Sequence, residues 1–254
     1  MADYTLRELM TIAAAREIPD GAITFCGTGI SMVAAMAAKH IHAPNSTIFF
    51  ETGAIDSLLE ELPLAVADPR VMYYTAVNGA LTDAFAYMQN RKTGKQVVGI
   101  MGAAQIDCFG NLNSTVIGDY HEPKVRFSGS GGACDVASFV DHSLIFMQHE
   151  KRKFVNKVDY LTSPGWLDGA GGRERAGLTG KGPSKVITNM AIMGFDETSK
   201  RMVLDYYYPG ITPEKILENM EFAVDISKAK ELQPPTNNEI RILREKCDPQ
   251  GLIL

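Results

Sequence analysis

Glu51 closes the apolar run Ile48-Phe49-Phe50 and is followed at once by Thr52-Gly53. In open α/β sheets ligands gather in the crevice at the carboxyl ends of strands, so an acid placed there has the position of a catalytic group. Partial loss of water around such a carboxylate destabilises its charge and makes it a better nucleophile toward a thioester carbonyl. The same position also suits an acid that only caps a helix beginning near Ala54, a common N-terminal signal.

The cluster Ser128-Gly129-Ser130-Gly131-Gly132-Ala133 precedes Val136, Ala137 and Val140 at helical spacing. It reads as a loop whose free backbone N–H groups sit at a helix start, suited to an oxyanion or a phosphate. A glycine turn needed only for close packing is the plain alternative. Gln105, at the end of the apolar run 97 to 104, is a candidate donor at a strand-end site. Asp107, Asn111, Asn113 and Asp119 read instead as turn formers bonded to their own backbone. Lys151-Arg152-Lys153 could meet the phosphates of a nucleotide-like tail, although a solvated surface run is the more ordinary reading.

Several chemistries find no support. A nucleophile elbow centred on Ser130 would need glycine at Ser128. Gly27-Thr28-Gly29 starts like a dinucleotide fingerprint, but its third glycine would fall at Met32. There is no Walker sequence. His40, His42, His121, His142 and His149 are scattered, and His149-Glu150 lacks the second histidine of a zinc protease, so no metal site is expected. The cysteines Cys26, Cys108, Cys134 and Cys247 form no C-x-x-C pair and read as small hydrophobes.

These residues need elements to hold them. Leu6, Leu9, Met10 and Ala13 share a helical face, and Thr5 with Glu8 makes a capping box. Strand-like runs follow at 22–26, 47–51, 70–74 and 96–101, with helical stretches at 30–40, between 51 and 70, and near 79–89. Continuous apolar strands separated by helices predict an α/β fold: an open, largely parallel sheet with helices on both faces. Runs at 143–147, 157–160, 185–188 and 202–206 come with shorter connections and predict some antiparallel strands. Residues 163–173 are too glycine-rich for regular structure and predict a long ordered loop. A Pro213-led helix and a helix opened by Thr236 and Glu239, with Ile240, Leu243 and Cys247 buried, close the chain.

At 254 residues and 45% hydrophobic content the chain can bury one large core, and a single domain over residues 1–254 is expected. A net charge of −5 with interspersed signs offers no field for nucleic acid or an anionic membrane. The start MADYTLREL lacks the features of a signal peptide, which with the cysteine usage predicts a reducing cytoplasm. No apolar stretch approaches the roughly 20 residues a spanning helix needs.

Read together, Gly102-Ala103-Ala104-Gln105-Ile106-Asp107, Gly118-Asp119-Tyr120-His121, Gly129-Ser130-Gly131-Gly132-Ala133, Met147-Gln148-His149-Glu150-Lys151-Arg152, Thr162-Ser163-Pro164-Gly165-Trp166 and Gly172-Arg173-Glu174-Arg175 carry a resemblance. The chain resembles the small (beta) subunits of class I, or family I, CoA-transferases of the glutaconate type. Phe50-Glu51-Thr52-Gly53 is similar to the family's acid, small residue, glycine motif, with Thr52 where serine is more usual; residues 54–96 look more divergent.

The resemblance implies that Glu51 is the catalytic carboxylate, passing through a mixed anhydride to a glutamyl-CoA thioester. It implies that Gly131, Gly132 and Ala133 lie in the loop that serves the oxyanion, with Gln105 a further oxyanion or CoA contact. It implies a larger, alpha-type partner chain in a hetero-oligomer. An acyl-CoA and a carboxylic acid, with a dicarboxylate such as glutaconate in view, would be the substrates, and no cofactor would be bound permanently. Acyl-CoA hydrolysis or decarboxylation on the same scaffold, or a non-catalytic structural subunit, are the alternatives.

Overall fold

The computed structural model describes residues 3–254. The chain gathers into two compact units, one running to residue 101 and including 234–254, the other spanning 102–233.

In the first unit, α1 (Leu6–Arg16) starts with the predicted reciprocal cap. Glu8 N donates to the Thr5 hydroxyl at 3.1 Å, and Thr5 N donates to the Glu8 carboxylate at 2.7 Å. Leu9, Met10 and Ala13 are buried as their spacing requires, while Leu6 in the first turn stays half exposed. Then come β1 (Ile23–Phe25), α2 (Ile30–Ile41), β2 (Thr47–Phe49), β3 (Ala54–Ile55), β4 (Val77–Asn78), α3 (Leu81–Gln89) and β5 (Val97–Gly102). The strands lie in the order β5-β1-β2-β3-β4. β1 runs parallel to both β5 and β2; β3 and β4 are added antiparallel.

α2 is alanine-rich, so its buried stretch Met32–Ala38 packs against α1 at short range. Phe25 meets Phe49 edge to face at 5.2 Å, and α3 lays Phe85 and Tyr87 against the same rings. The chain's end returns as α7 (Asn237–Ile242), capped by Thr236 and Glu239, with Ile240, Leu243 and Cys247 buried as expected. It continues in a π turn over Leu243–Cys247.

Two expectations fail here. The helix expected to begin near Ala54 is absent, because Ala54–Ile55 pair with β2 as a strand. The strand expected at 70–74 is a 3-10 turn, Pro69–Met72, since Pro69 fixes its own backbone and the Asp68 carboxylate accepts from Arg70 N at 3.0 Å. Tyr74, at φ +51°, then ends any extended run.

The second unit opens with two short ribbons, β6 (Gln105–Ile106) with β7 (Leu112–Asn113) and β8 (Val116–Gly118) with β9 (Pro123–Arg126). Then follow α4 (Ala133–Phe139), β10 (His142–Met147), α5 (Gly172–Arg175), β11 (Pro183–Thr188), β12 (Ala191–Phe195), β13 (Met202–Tyr207), α6 (Pro213–Glu218) and β14 (Lys230–Glu231). Their order is β14-β13-β12-β11-β10. β10 is parallel to β11; β13, one of the runs expected to bring antiparallel strands, pairs antiparallel to β12, a strand that was not expected. Both units are thus α/β with mixed strand directions. The strand expected at 157–160 is irregular instead, because Asp159 turns aside to accept from Gln105 Nε2 at 3.1 Å and Gly118 N at 3.0 Å. Of the loop expected over 163–173, residues 163–171 are irregular, whereas Gly172 and Arg173 already open α5.

Candidate active site

Glu51 stands in the first unit at the tip of a hairpin, not at the start of a helix. Phe50 N donates to Ala54 O at 3.0 Å and Gly53 N to Phe50 O at 3.1 Å, closing the β2–β3 turn with Glu51 and Thr52 at its apex. Gly53 has φ +94°, the left-handed residue such a turn requires. A Cβ on Gly53 would lie 2.3 Å from Gly79 O, so the turn also leans on bare backbone. Phe50 is buried and anchors the turn, while Glu51 is half-buried. Among the described residues its carboxylate has neither a hydrogen bond nor an ion pair. The neighbouring Thr52 hydroxyl is buried and also without a partner.

The other predicted residues belong to the second unit. The glycine loop carries positive φ at Gly129 and Gly131, and it is tied back by Gly129 N to Ser114 O at 3.1 Å and Ser114 Oγ to Gly129 O at 3.0 Å. Ala133 N donates to Ser130 O at 2.9 Å and Cys134 N to Ser130 Oγ at 3.0 Å. Among the described residues the N–H groups of Gly131 and Gly132 meet no acceptor. Two adjacent uncommitted amides are what an oxyanion or phosphate oxygen requires.

Gln105 is buried, and its amide is largely committed: Oε1 accepts from Asn113 Nδ2 at 2.7 Å and Asp159 N at 3.0 Å, while Nε2 donates to Asp159. It forms one wall of a cavity of about 630 Å³ that also takes in Gly102, Ala103, Ile117, Phe127 and Ser128, the first residue of the glycine loop. Gln105 thus shares the cavity with Ser128 at the start of that loop, while Gly131, Gly132 and Ala133 do not line it. Arg152 and Lys153 also line it. Arg152 is mostly exposed and bonds Glu150 at 2.6 Å, and Lys153 lies 3.5 Å from the same carboxylate. The basic run is thus both solvated and placed on the cavity.

Two residues that hold this region escaped the sequence. Asp159 fixes Gln105 from 54 positions away, a pairing no local pattern announces. Arg173 is almost fully buried, and among the described residues no carboxylate is bonded to its guanidinium. It donates instead to the carbonyls of Gly180 (3.0 Å), Pro164 (3.2 Å), Gly165 (2.9 Å) and Ala137 (2.8 Å), the last near the end of α4. Burial lowers its pKa to about 10, which leaves it charged at neutral pH. Asp107 is pushed up by burial against the opposing hydrogen bonds of Asn111 and Phe109, and with Asn111 it builds the turn foreseen. No three His, Cys, Asp or Glu side chains among the described residues gather as a metal site. No helix among them is long and apolar enough to cross a membrane.

The chain belongs to the coenzyme A transferase family, whose model matches residues 7–219 and so spans both units. Members of this family act on coenzyme A thioesters. The chain is 45% identical to one subunit of the glutaconate CoA-transferase of Acidaminococcus fermentans, over 98% of this chain and 96% of that one. It is 37% identical to the corresponding subunit of the 3-oxoadipate CoA-transferase of Pseudomonas knackmussii, over 96% and 94%. The crystal structure of the Acidaminococcus fermentans glutaconate enzyme superposes with a TM-score of 0.95 at 43% identity, covering 99% of this chain and 97% of that chain.

Proposed function

We propose that this chain is the nucleophile-bearing subunit of a two-chain CoA-transferase in which Glu51 carries the exchanged group. The observation that carries this reading is the half-buried carboxylate at a hairpin tip, claimed by no other side chain or amide among the described residues. The Glu51 carboxylate attacks the thioester carbonyl of an acyl-CoA, and the C–S bond breaks to give a mixed anhydride and CoA thiolate. The thiolate attacks the glutamyl carbonyl and expels the first acid, leaving a glutamyl-CoA thioester. An incoming carboxylate reverses both steps, so one thioester replaces another with little net change in free energy.

Each tetrahedral intermediate carries an oxyanion, for which Gly131 and Gly132 offer uncommitted donors. The loss of one such donor typically costs about 3 to 4 kcal/mol of transition-state stabilisation. Ala133, whose N–H is taken by Ser130, closes the loop onto α4. Gln105 forms a wall for the CoA arm, with Arg152 and Lys153 toward its phosphates. The acids are read as dicarboxylates, because glutaconate and 3-oxoadipate, for which the two relatives are named, both are. A larger chain completes the assembly, no cofactor is held permanently, and the enzyme works in the cytoplasm. The two units act as one transferase domain, since a single family model runs through both.

The test is direct. The assembled enzyme is incubated with acyl-CoA, digested, and searched for CoA mass on the peptide containing Glu51. The adduct is expected, and Glu51→Gln is expected to remove it and reduce exchange by at least about 10³-fold while assembly persists. Exchange at a near-normal rate in that variant refutes the assignment, and thioester loss to water without transfer to an acid marks a hydrolase.

A further inference from the structure

Leu58, Leu64, Tyr73, Tyr74, Val77 and Leu81 are large apolar side chains left nearly half or more exposed within one stretch of the first unit. Exposed aromatics in the second unit have company within the chain: Tyr120 stacks on Tyr160, and Phe127 lines the cavity. Tyr73 and Tyr74 have no ring partner among the described residues. Tyr74 is 76% exposed on a left-handed backbone that bulky residues rarely adopt. β4 is the last strand of its order, so its outer edge is unpaired among the described residues, and such edges are normally covered.

This face is continuous with the Glu51 turn. β4 pairs with β3, Gly79 N donates to Gly53 O at 2.9 Å, and Gly53 rests on the Gly79 carbonyl. Its charges are one-sided. Residues 58–83 hold Glu60, Glu61, Asp68 and Asp83 against the single base Arg70, which is bonded by Asp68 and lies 3.9 Å from Glu61. A symmetric pair of copies would set acid on acid. A different chain, apolar at the centre and basic at the rim, suits the face.

We propose that residues 58–81 form the face on which the larger transferase chain docks, beside Glu51, with lysines or arginines meeting its acidic rim at Glu60. This rests on the two-chain reading above. To test it, a photoreactive phenylalanine analogue is placed at Tyr74 or Leu64 in the chain co-expressed with the larger one, with Leu252 as a control position. Cross-links from 74 and 64, but not 252, to the larger chain are expected. Links only between copies of this chain, or none, overturn the proposal.

The double variant Tyr74→Asp, Val77→Asp gives a second reading. It is expected to weaken assembly at least tenfold while the isolated chain keeps its unfolding midpoint; unchanged assembly counts against the face. The wild type separates the two ideas. If it co-purifies with the larger chain and exchanges CoA, yet no link forms, only the docking face fails. If it exchanges CoA without any larger chain, both fail.

Discussion

His149 shows what a single buried group does to the whole stability curve. Its ring stacks on Phe154 at 4.4 Å, one nitrogen bonds Ile216 O at 3.1 Å, and the other is buried without a partner. Burial lowers its pKa from 6.5 to about 4, so the unfolded chain takes the proton first. Stability is therefore complete above pH 6.5 and falls as the pH drops toward 4, by about 3 kcal/mol in all. Glu8, held below its usual 4.5 chiefly by Arg244, contributes loss only at more acid pH. Urea midpoints measured across this range should slope downward in the wild type and flatten in His149→Gln.

At the scale of elements, α1 depends on the chain's other end. The Glu8 carboxylate, buried, closes its own capping box and also takes two bonds from Arg244 at 2.6 and 2.9 Å. Glu8→Ala removes both and should cost about 2 kcal/mol. Arg244→Ala, at a half-exposed guanidinium, should cost less than Glu8→Ala, because solvent screens an exposed charge. Urea unfolding of both variants checks the order. α1 and α7 were legible because a capping box is a local signal written within four residues. β1 and β5 were legible as short apolar runs between turn residues. The β2–β3 hairpin was not. Glu51-Thr52-Gly53-Ala54 reads equally as a helix start or a turn, and only the pairing of Phe49 with Ile55 decides. The position of Glu51 was readable from the sequence, but its free carboxylate was not. Gln105 was found as a candidate, while the partners that hold its amide, Asn113 and Asp159, are set by tertiary contacts.

At the scale of the molecule, the proposed function sets an acidic chain of net charge −5 against a polyanionic thioester. Uniform charge would repel it, so local cations must bring it in. Arg152 and Lys153 line the cavity beside Gln105, and on the reading proposed above they supply that field. For the assembled enzyme, kcat/KM toward acyl-CoA should fall as ionic strength rises from about 0.01 to 0.15 M, where the screening length shrinks from about 30 to 8 Å. The variant Arg152→Glu, Lys153→Glu should lose that dependence and show roughly tenfold higher KM with kcat within about twofold. Stopped-flow and steady-state assays over the salt series would decide it.

The seat of Gly53 on the Gly79 carbonyl separates two evolutionary freedoms. The span between those glycines can lengthen, shorten or change its surface at little entropic cost, since loop closure depends only weakly on length. The hairpin tip stays where it is as long as its two backbone anchors remain bare. A new companion or a differently shaped acid can thus be accommodated by rewriting the intervening residues, with the Glu51 carboxylate left untouched.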